Sequence, residues 1–202
     1  MPNLWCLATR NSGKLREFRS LLEPHGYRVL SLDDVGLTNE HEETGSTFSE
    51  NARLKALCFS AETDLPVLGD DSGLEVFALG ARPGIHSARY AGPGATDSER
   101  IRKVLGELES AGAGREARFV CALALAQRGT LLAEAEGECA GVILTEPRGS
   151  GGFGYDPIFY FPALGKTFAE LAGAEKNLHS HRGNAVRALL SRLPDSRLTD
   201  GS

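Results

Sequence analysis

The chain has 202 residues, of which 41% are hydrophobic and 24% charged, and its formal net charge is −5 at pH 7. These values are typical of one soluble globular domain, and the negative charge argues against a protein that coats nucleic acid. No apolar run approaches the roughly 18 residues of a membrane-spanning helix, and residues 1–5 lack the pattern of a signal peptide. We therefore expect a single domain over residues 1–202, no nucleic-acid or membrane partner, and a cytoplasmic location.

The first half of the chain alternates between apolar runs and segments with helical spacing. Residues 4–8 form an apolar run that predicts a buried strand, and a second strand is predicted over residues 27–30. Between them, a polar turn over residues 9–13 leads into apolar residues at helical spacing. Residues 47–50 match a capping box, which predicts the start of another helix. The apolar side of that helix is predicted to comprise Phe48, Ala52, Leu54, Leu57 and Cys58.

The second half begins with a loop and contains a hairpin. Residues 80–96 are rich in Gly, Pro and Ala and predict an ordered surface loop, after which residues 96–99 match a second capping box. Residues 118–137 predict a β-hairpin whose first arm, apolar on both sides, belongs at the centre of a covered sheet. A short strand at 158–161 and a last helix at 180–193 follow. This order predicts an α/β protein with a mixed, twisted sheet and helices on both sides.

The acidic pair Asp70-Asp71 is the most informative motif, because it stands between two apolar runs. Buried carboxylates must be paired, hydrogen-bonded or bound to metal, and acids at a strand end are typical of a Mg²⁺ and phosphate site. Gly69 and Gly73 allow sharp turns and the close approach of another group to the backbone. The alternative is an ordinary polar turn, since Asp, Ser and Gly are common turn formers.

The polar turn Thr9–Lys14 predicts a phosphate site. It joins a strand to a helix, and the free amide groups at a helix N-terminus favour phosphate. Lys14 adds a full positive charge, whereas the alternative is a plain helix cap made by Asn11 or Ser12. The segment is not a Walker A loop, because the Gly-x-x-x-x-Gly-Lys spacing is missing.

Two acids, Glu42 and Glu43, precede the second helix, where negative charge favours the helix N-terminus. They are also candidates for a metal site shared with Asp71, because Mg²⁺ is commonly held by one or two carboxylates, substrate oxygens and waters. Lys55 lies about two turns into that helix, where it would face the phosphates. The alternative for Lys55 is an ordinary solvated lysine.

Glycine-rich and cationic segments near the C-terminus predict a nucleoside pocket. The loop Gly151–Pro157 carries two aromatic residues and an acid among glycines, and stacking on a base contributes roughly 1–3 kcal/mol. The alternative is a loop anchored in the core by its aromatics. Lys176 and the segment Ser180–Gly183 place cations near the start of the last helix, where a bound anion or a base carbonyl would favour them. His179 and His181 have an alternative role that involves no ligand, namely a helix cap or a surface hydrogen bond.

Several segments occur in an order that is specific, although no single one is decisive. They are Thr9–Lys14, Glu42–Ala52, Asp70–Leu74, Pro83–Gly92, Gly151–Pro157 and Ser180–Gly183. Together they resemble the Ham1/RdgB family of inosine/xanthosine triphosphate pyrophosphatases, from Leu4 to near Leu193. The resemblance implies one domain with two lobes flanking a central substrate cleft. It also implies hydrolysis of dITP, ITP, XTP and dXTP to monophosphate and pyrophosphate, with Mg²⁺ as cofactor, usually by a homodimer.

The resemblance implies roles for individual residues as well. It makes Asp71 the catalytic acid–base residue and a metal ligand, with Glu42 or Glu43 as a further ligand. Arg10 departs from the pattern, since many relatives carry a small residue there. The implied phosphate contacts come from Thr9, Arg10, Asn11, Ser12, Gly13 and Lys14. The other implied substrate contacts come from Ser72, Phe153, Gly154, Tyr155, Asp156, Lys176, His181 and Arg182.

The residues predict attack of water on the α-phosphorus, with pyrophosphate as the leaving group. Lys14 and Lys55 would neutralise the phosphates, and Asp71 would orient or deprotonate the water. Arg182, supported by His181, is the candidate donor to the 6-oxo group that separates these purines from adenine. Two alternatives stay open: a Maf-like pyrophosphatase with another nucleotide preference, and a protein that binds nucleotides without hydrolysing them.

Overall fold

The computed structural model describes residues 3–112 and 114–193. Their strands are β1 (Asn3–Leu7), β2 (Tyr27–Ser31), β3 (Val67–Val76), β4 (Arg82–Pro83), β5 (Glu116–Gln127), β6 (Thr130–Ile143), β7 (Phe159–Phe161) and β8 (Lys166–Thr167). The α-helices are α1 (Ser12–Leu22), α2 (Phe48–Ser60), α3 (Asp97–Ala111), α4 (Gly173–His179) and α5 (His181–Leu190). Met1, Pro2 and the last residues of the predicted domain lie outside the described residues. In the described part, no helix is long and apolar enough to cross a membrane.

The strands form one mixed sheet in the order β2-β1-β3-β5-β6-β7-β8, with β4 paired to β3. β1 is parallel to both of its neighbours, and the remaining pairs are antiparallel. Side chains alternate between the two faces of a strand. Accordingly, Cys121 and Leu123 of β5 pack in a cluster with α1 and α5, while Ala122 and Ala124 pack with α2. The predicted mixed sheet with helices on both sides and a central β5 is confirmed.

The acidic pair lies inside β3, so the expectation of a strand end or turn is wrong. Asp70 is opposite Leu123 and Asp71 is opposite Ala122 in the antiparallel register with β5. The neighbouring glycines serve close packing rather than a turn. A Cβ on Gly69 would lie 2.1 Å from the Ala52 carbonyl oxygen of α2.

Helix α2 buries Phe48 and Ala52 as predicted, but the rest of its buried side differs from the predicted one. Its buried residues include Ala52, Ala56 and Phe59, whereas Leu54 and Leu57 are half-buried. The small alanines allow the helix backbone to approach β3 at Gly69, and this contact decides which side faces the sheet. Hydrophobicity alone could not reveal it.

Of the two predicted capping boxes, one is confirmed and the other forms only in part. Thr96 and Glu99 form the complete capping box of α3. At α2, Thr47 accepts a hydrogen bond from the Glu50 amide, but the Glu50 carboxylate binds Ser46 instead of completing the box. The predicted last helix is shorter than expected, and α4, which precedes it, was not predicted.

Candidate active site

The turn over residues 9–14, predicted to bind phosphate, brings Lys14 against the acidic pair. Asn11, rather than Ser12, caps α1 by accepting a hydrogen bond from the Lys14 amide at 3.0 Å. Lys14 Nζ lies 2.5 Å from Oδ2 of Asp70, which is fully buried. Burial alone would raise the pKa of Asp70, but nearby cations, Lys14 first, lower it to about 2. Asp70 is therefore an ionised partner that holds Lys14 in place.

The same turn touches the aromatic loop. A Cβ on Gly13 would lie 2.7 Å from the Phe153 ring, so the start of α1 packs directly on that loop. The Thr9 hydroxyl accepts a hydrogen bond from the Asn11 amide at 3.2 Å. The Arg10 guanidinium, by contrast, is bonded to Asp33 and to backbone carbonyls of residues 37–39. The turn thus places Lys14, but not the Arg10 side chain, at the acidic pair.

Asp71 lies on the α2 side of β3, with two partners from that helix. Asn51 Nδ2 donates to Asp71 Oδ2 at 3.1 Å, and Lys55 Nζ lies 3.6 Å from Asp71 Oδ1. Burial raises the pKa of Asp71 above its ordinary value, although Lys55 opposes the shift. Asn51 was missed by the sequence reasoning, because a polar residue on a helix reveals its partner only in the fold.

Glu43 shares Lys55 with Asp71. Lys55 Nζ lies 2.8 Å from Glu43 Oε1, and Arg89 Nη1 lies 3.4 Å from Glu43 Oε2. Burial would raise the pKa of Glu43, but the cations beside it, Lys55 first, bring it below its ordinary value. Glu42 is exposed. Of the two acids, Glu43 is therefore the one that the fold brings towards Asp71.

The donor set around Lys55 suits a divalent cation. Within the described ranges, no three His, Cys, Asp or Glu side chains are grouped as a metal site. Mg²⁺, however, is typically held by one or two carboxylates, with phosphate oxygens and waters as the other ligands. Glu43 and Asp71, which converge on one lysine ammonium, provide such a pair.

The other end of the site is built around Arg182. Its Nη2 donates to the Ser72 hydroxyl at 2.7 Å, and its Nη1 lies 2.8 Å from Glu17 Oε2. The guanidinium carbon is 5.1 Å from the centre of the Phe153 ring. Lys176 Nζ lies 2.7 Å from the second oxygen of Glu17. Glu17 was missed, and its only sequence signal is its position three residues after Lys14, on the same face of α1.

The aromatic loop is held by its own acid and by α3. The Phe153 amide donates to Asp156 Oδ2 at 2.9 Å, and the Gly154 amide donates to Asp97 Oδ2 at 2.7 Å. Asp156 also pairs with Lys176. Tyr155 is buried, and its hydroxyl donates to the Ser87 carbonyl at 2.9 Å. Both aromatics line the pocket, but Tyr155 is also anchored in the core, as the alternative predicts.

His181 forms the floor of this pocket. It is 1% exposed and stacks on Phe119, with ring centres 4.6 Å apart. Burial and the neighbouring cations hold the pKa of His181 well below its ordinary value, so the ring is neutral. Among the described residues, neither ring nitrogen has a hydrogen-bond partner. A neutral imidazole offers one donor and one acceptor, and the described residues use neither.

A cavity extends from Lys14 to the Arg182 end of the site. Its lining includes Asn11, Lys14, Ser72, Phe153, His181 and Arg182. Cations that suit phosphate therefore adjoin an aromatic ring, a neutral imidazole and a guanidinium that suit a heterocyclic base.

Known proteins match this chain over most of its length. The model of the Ham1 family matches residues 5–192. The chain is similar to a dITP/XTP pyrophosphatase of Gloeobacter violaceus, at 56% identity over 95% of this chain and 94% of that one. For the Bacillus subtilis protein of the same name, identity is 50% over 91% and 93%.

Solved structures are similar as well. The HAM1 protein of Coxiella burnetii superposes with a TM-score of 0.82 at 46% identity, covering 91% of this chain and 94% of that chain. The Ham1 protein of Staphylococcus aureus gives a TM-score of 0.80 at 40% identity, covering 94% and 96%.

Proposed function

Because the chain belongs to the Ham1 family, we propose that it is a pyrophosphatase that converts dITP, ITP, XTP and dXTP to the monophosphate and pyrophosphate. One observation carries the proposal: a single cavity is lined by Lys14, the partner of Asp70, and by Phe153 and Arg182. In the proposed complex the triphosphate would lie at the lysine end and the purine at the Phe153 end. Removal of such nucleotides would cleanse the nucleotide pool.

The phosphate end supplies charge neutralisation. A triphosphate is highly anionic, so cations must offset its charge before a nucleophile can approach. Lys14 and Lys55 are both more than four-fifths buried, which strengthens their electrostatic effect on a bound phosphate. Each is held by a carboxylate of the site, which fixes its position before the substrate binds.

Asp71 is the residue that we assign to the attacking water. Its carboxylate accepts from Asn51 and faces Lys55, so its orientation is fixed. It would orient the water, or accept its proton, for attack on the α-phosphorus while pyrophosphate leaves. Mg²⁺, held by Asp71 and Glu43, would add neutralisation of the phosphate charge. Glu42, which is exposed, is the weaker candidate ligand.

The nucleoside end explains selectivity for 6-oxo purines. A guanidinium donor aimed at the ring carbonyl is left unpaired when adenine presents an amino group, and such a mismatch costs several orders of magnitude. Arg182 is that donor in our proposal, and neutral His181 supports it. Ser72 and Glu17 hold the Arg182 fork from two sides. Lys176 and Asp156 fix the loop that carries Phe153.

The working form of the enzyme is a further part of the proposal. We expect a homodimer in the cytoplasm. Sedimentation of the purified chain would give the mass of two copies, and a monomer mass would contradict the assembly.

A substrate panel tests the function directly. Pyrophosphate release is measured with dITP, ITP, XTP, GTP, ATP and dUTP, with and without Mg²⁺. We expect rapid release from the inosine and xanthosine triphosphates only when Mg²⁺ is present. The names of the relatives do not favour the Maf-like alternative, and preferential cleavage of dUTP would revive it. Tight ITP binding without pyrophosphate release would indicate a binding protein instead.

A further inference from the structure

We propose that Arg10 is a positioning residue that ties the phosphate-binding turn to the loop that carries Glu43, and thereby sets the affinity of the site for a divalent cation. This loop, residues 37–45, is called the acidic loop below. The inference rests on the proposed function, because it takes Glu43 as a metal ligand.

The Arg10 side chain donates hydrogen bonds to backbone carbonyls at the start of the acidic loop. Its Nη2 donates to the carbonyl oxygens of Leu37, Thr38 and Asn39 at 3.3, 3.0 and 3.3 Å. Its Nη1 donates to Asp33 Oδ1 at 2.9 Å. Three successive carbonyls directed at one cation leave the chain little freedom, since any other loop conformation gives up these charge-assisted bonds.

The loop is also fastened from its other side. Glu62, just beyond α2, accepts from Asn39 Nδ2 at 2.7 Å, and His41 Nε2 lies 2.6 Å from its other oxygen. Two residues further on, Glu43 meets Lys55. The Glu43 carboxylate, which we assign to the metal, therefore lies on a short segment whose first residues are held by Arg10.

The position of Arg10 in the chain gives this clamp a functional consequence. Arg10 belongs to the same turn as Asn11 and Lys14, which line the cavity of the site. A shift of the turn on phosphate binding moves the clamp, and a shift of the acidic loop on metal binding moves the turn. Such coupling is reciprocal, so phosphate changes the affinity for the metal by the same factor by which the metal changes the affinity for phosphate.

The test compares Arg10→Ala with a matched control, Arg19→Ala. Arg19 has nearly the same side-chain exposure as Arg10, 39% against 42%. Its Nη2 pairs with Asp34 at 3.1 Å and its Nε donates to the Val29 carbonyl at 3.0 Å. It therefore makes an equivalent ion pair but no bond to the acidic loop.

Two measurements are made without nucleotide: hydrogen exchange of the amides in residues 37–45, and calorimetric titration with Mn²⁺ as the probe. For Arg10→Ala we expect faster exchange in the loop and a Kd for Mn²⁺ raised on the order of tenfold, as for loss of a residue that supports a metal ligand. Arg19→Ala should change neither. Arg10→Lys keeps the charge but not the planar fork, so its effects should fall between those of the wild type and Arg10→Ala.

Wild-type exchange and Mn²⁺ affinity in Arg10→Ala would overturn the inference. Equal losses in Arg10→Ala and Arg19→Ala would overturn it as well, because they would show a general loss of stability. Failure of the wild type to release pyrophosphate would overturn the proposed function only, since neither measurement depends on turnover.

Discussion

Asp70 and Asp71 are neighbours in sequence, but opposite faces of one strand give them different surroundings. Asp70 is fully buried beside Lys14, and its pKa is lowered to about 2. Asp71 is bound by Asn51 and Lys55, and burial raises its pKa. A carboxylate with a very low pKa is a poor proton acceptor. Of the two, Asp71 is therefore suited to the reaction, and Asp70 to holding a lysine.

Replacement of Asp71 tests this division. Asp71→Asn keeps the shape and removes the charge, so kcat should fall by about 100-fold or more at saturating Mg²⁺. The matched control is Asp64→Asn, the same chemical change at a side chain that is 88% exposed and, among the described residues, pairs with Arg128. Steady-state pyrophosphate release gives both values. Near-normal turnover of Asp71→Asn would contradict the assignment.

Selectivity is tested at Arg182. Arg182→Ala removes the proposed donor to the 6-oxo group, so the ratio of kcat/KM for ITP to that for ATP should fall by about tenfold or more. Arg187→Ala on the same helix is the control, because its side chain bonds to Asn177, Leu178 and Asn184. An unchanged ratio in Arg182→Ala would exclude Arg182 as the discriminating residue.

The stability of the protein at acid pH depends in part on Glu17, which pairs with Arg182 and Lys176. Burial would raise its pKa, but Arg182 and Lys176 bring it below the ordinary value of 4.5. A carboxyl group with a lowered folded-state pKa stabilises the protein above its unfolded pKa, and this contribution is lost as the pH falls through the folded-state pKa. Glu17 therefore stabilises the fold at neutral pH, and the effect fades below about pH 4.5.

The corresponding variant is Glu17→Gln. It should lower the free energy of unfolding by about 3 kcal/mol at pH 7, because it removes the carboxylate that two buried cations share. Its stability should also decline less than that of the wild type on acidification below pH 4.5. Urea unfolding at several pH values measures both effects. Parallel pH profiles for the two proteins would contradict the role given to Glu17.

At the scale of elements, the contact of α2 with β3 positions the α2 side of the active site. The helix brings Asn51 and Lys55 to Asp71. It can do so because Gly69 has no side chain where the helix backbone passes: an added Cβ would lie 2.1 Å from the Ala52 oxygen and 2.8 Å from the Ala56 nitrogen. The packing of α2 on β3 therefore also sets the positions of Asn51 and Lys55 relative to Asp71.

Gly69→Ala should push α2 away from β3 and thereby destabilise the protein. We expect a loss of about 3 kcal/mol in the free energy of unfolding, because a backbone atom cannot move aside as a flexible side chain can. Gly106→Ala is the control: it lies on the exposed side of α3 with no atom within 4 Å of an added Cβ, so it should stabilise by about 0.5–1 kcal/mol. Urea unfolding compares them, and equal stabilities would contradict this account of the contact.

At the scale of the molecule, two strands join the hydrophobic clusters of the described residues. β3 contributes Val67, Leu68 and Leu74 to three different clusters. β5 contributes Phe119 to one of these and Ala122 to a further cluster against α2. A structure whose central strands take part in every cluster has no division at which one part could unfold alone.

Thermal unfolding should therefore be a single transition. The calorimetric enthalpy should equal the van't Hoff enthalpy, which is the criterion for two-state behaviour. Differential scanning calorimetry measures both. Two resolved transitions would show that the two lobes implied by the family resemblance unfold independently.

The sequence by itself determined the fold class, the capping box of α3, the hairpin of β5 and β6 and, through the order of its motifs, the family. These features depend on the spacing of residues that are close together in sequence, and this spacing can be read directly from the chain. Only the tertiary structure decided that the acidic pair lies within a strand, that Glu43 rather than Glu42 approaches Asp71, and that Arg10 holds the acidic loop. It alone joined Glu17 to Arg182, 165 residues apart. Contacts at such separations arise from how the elements pack, so no local pattern encodes them.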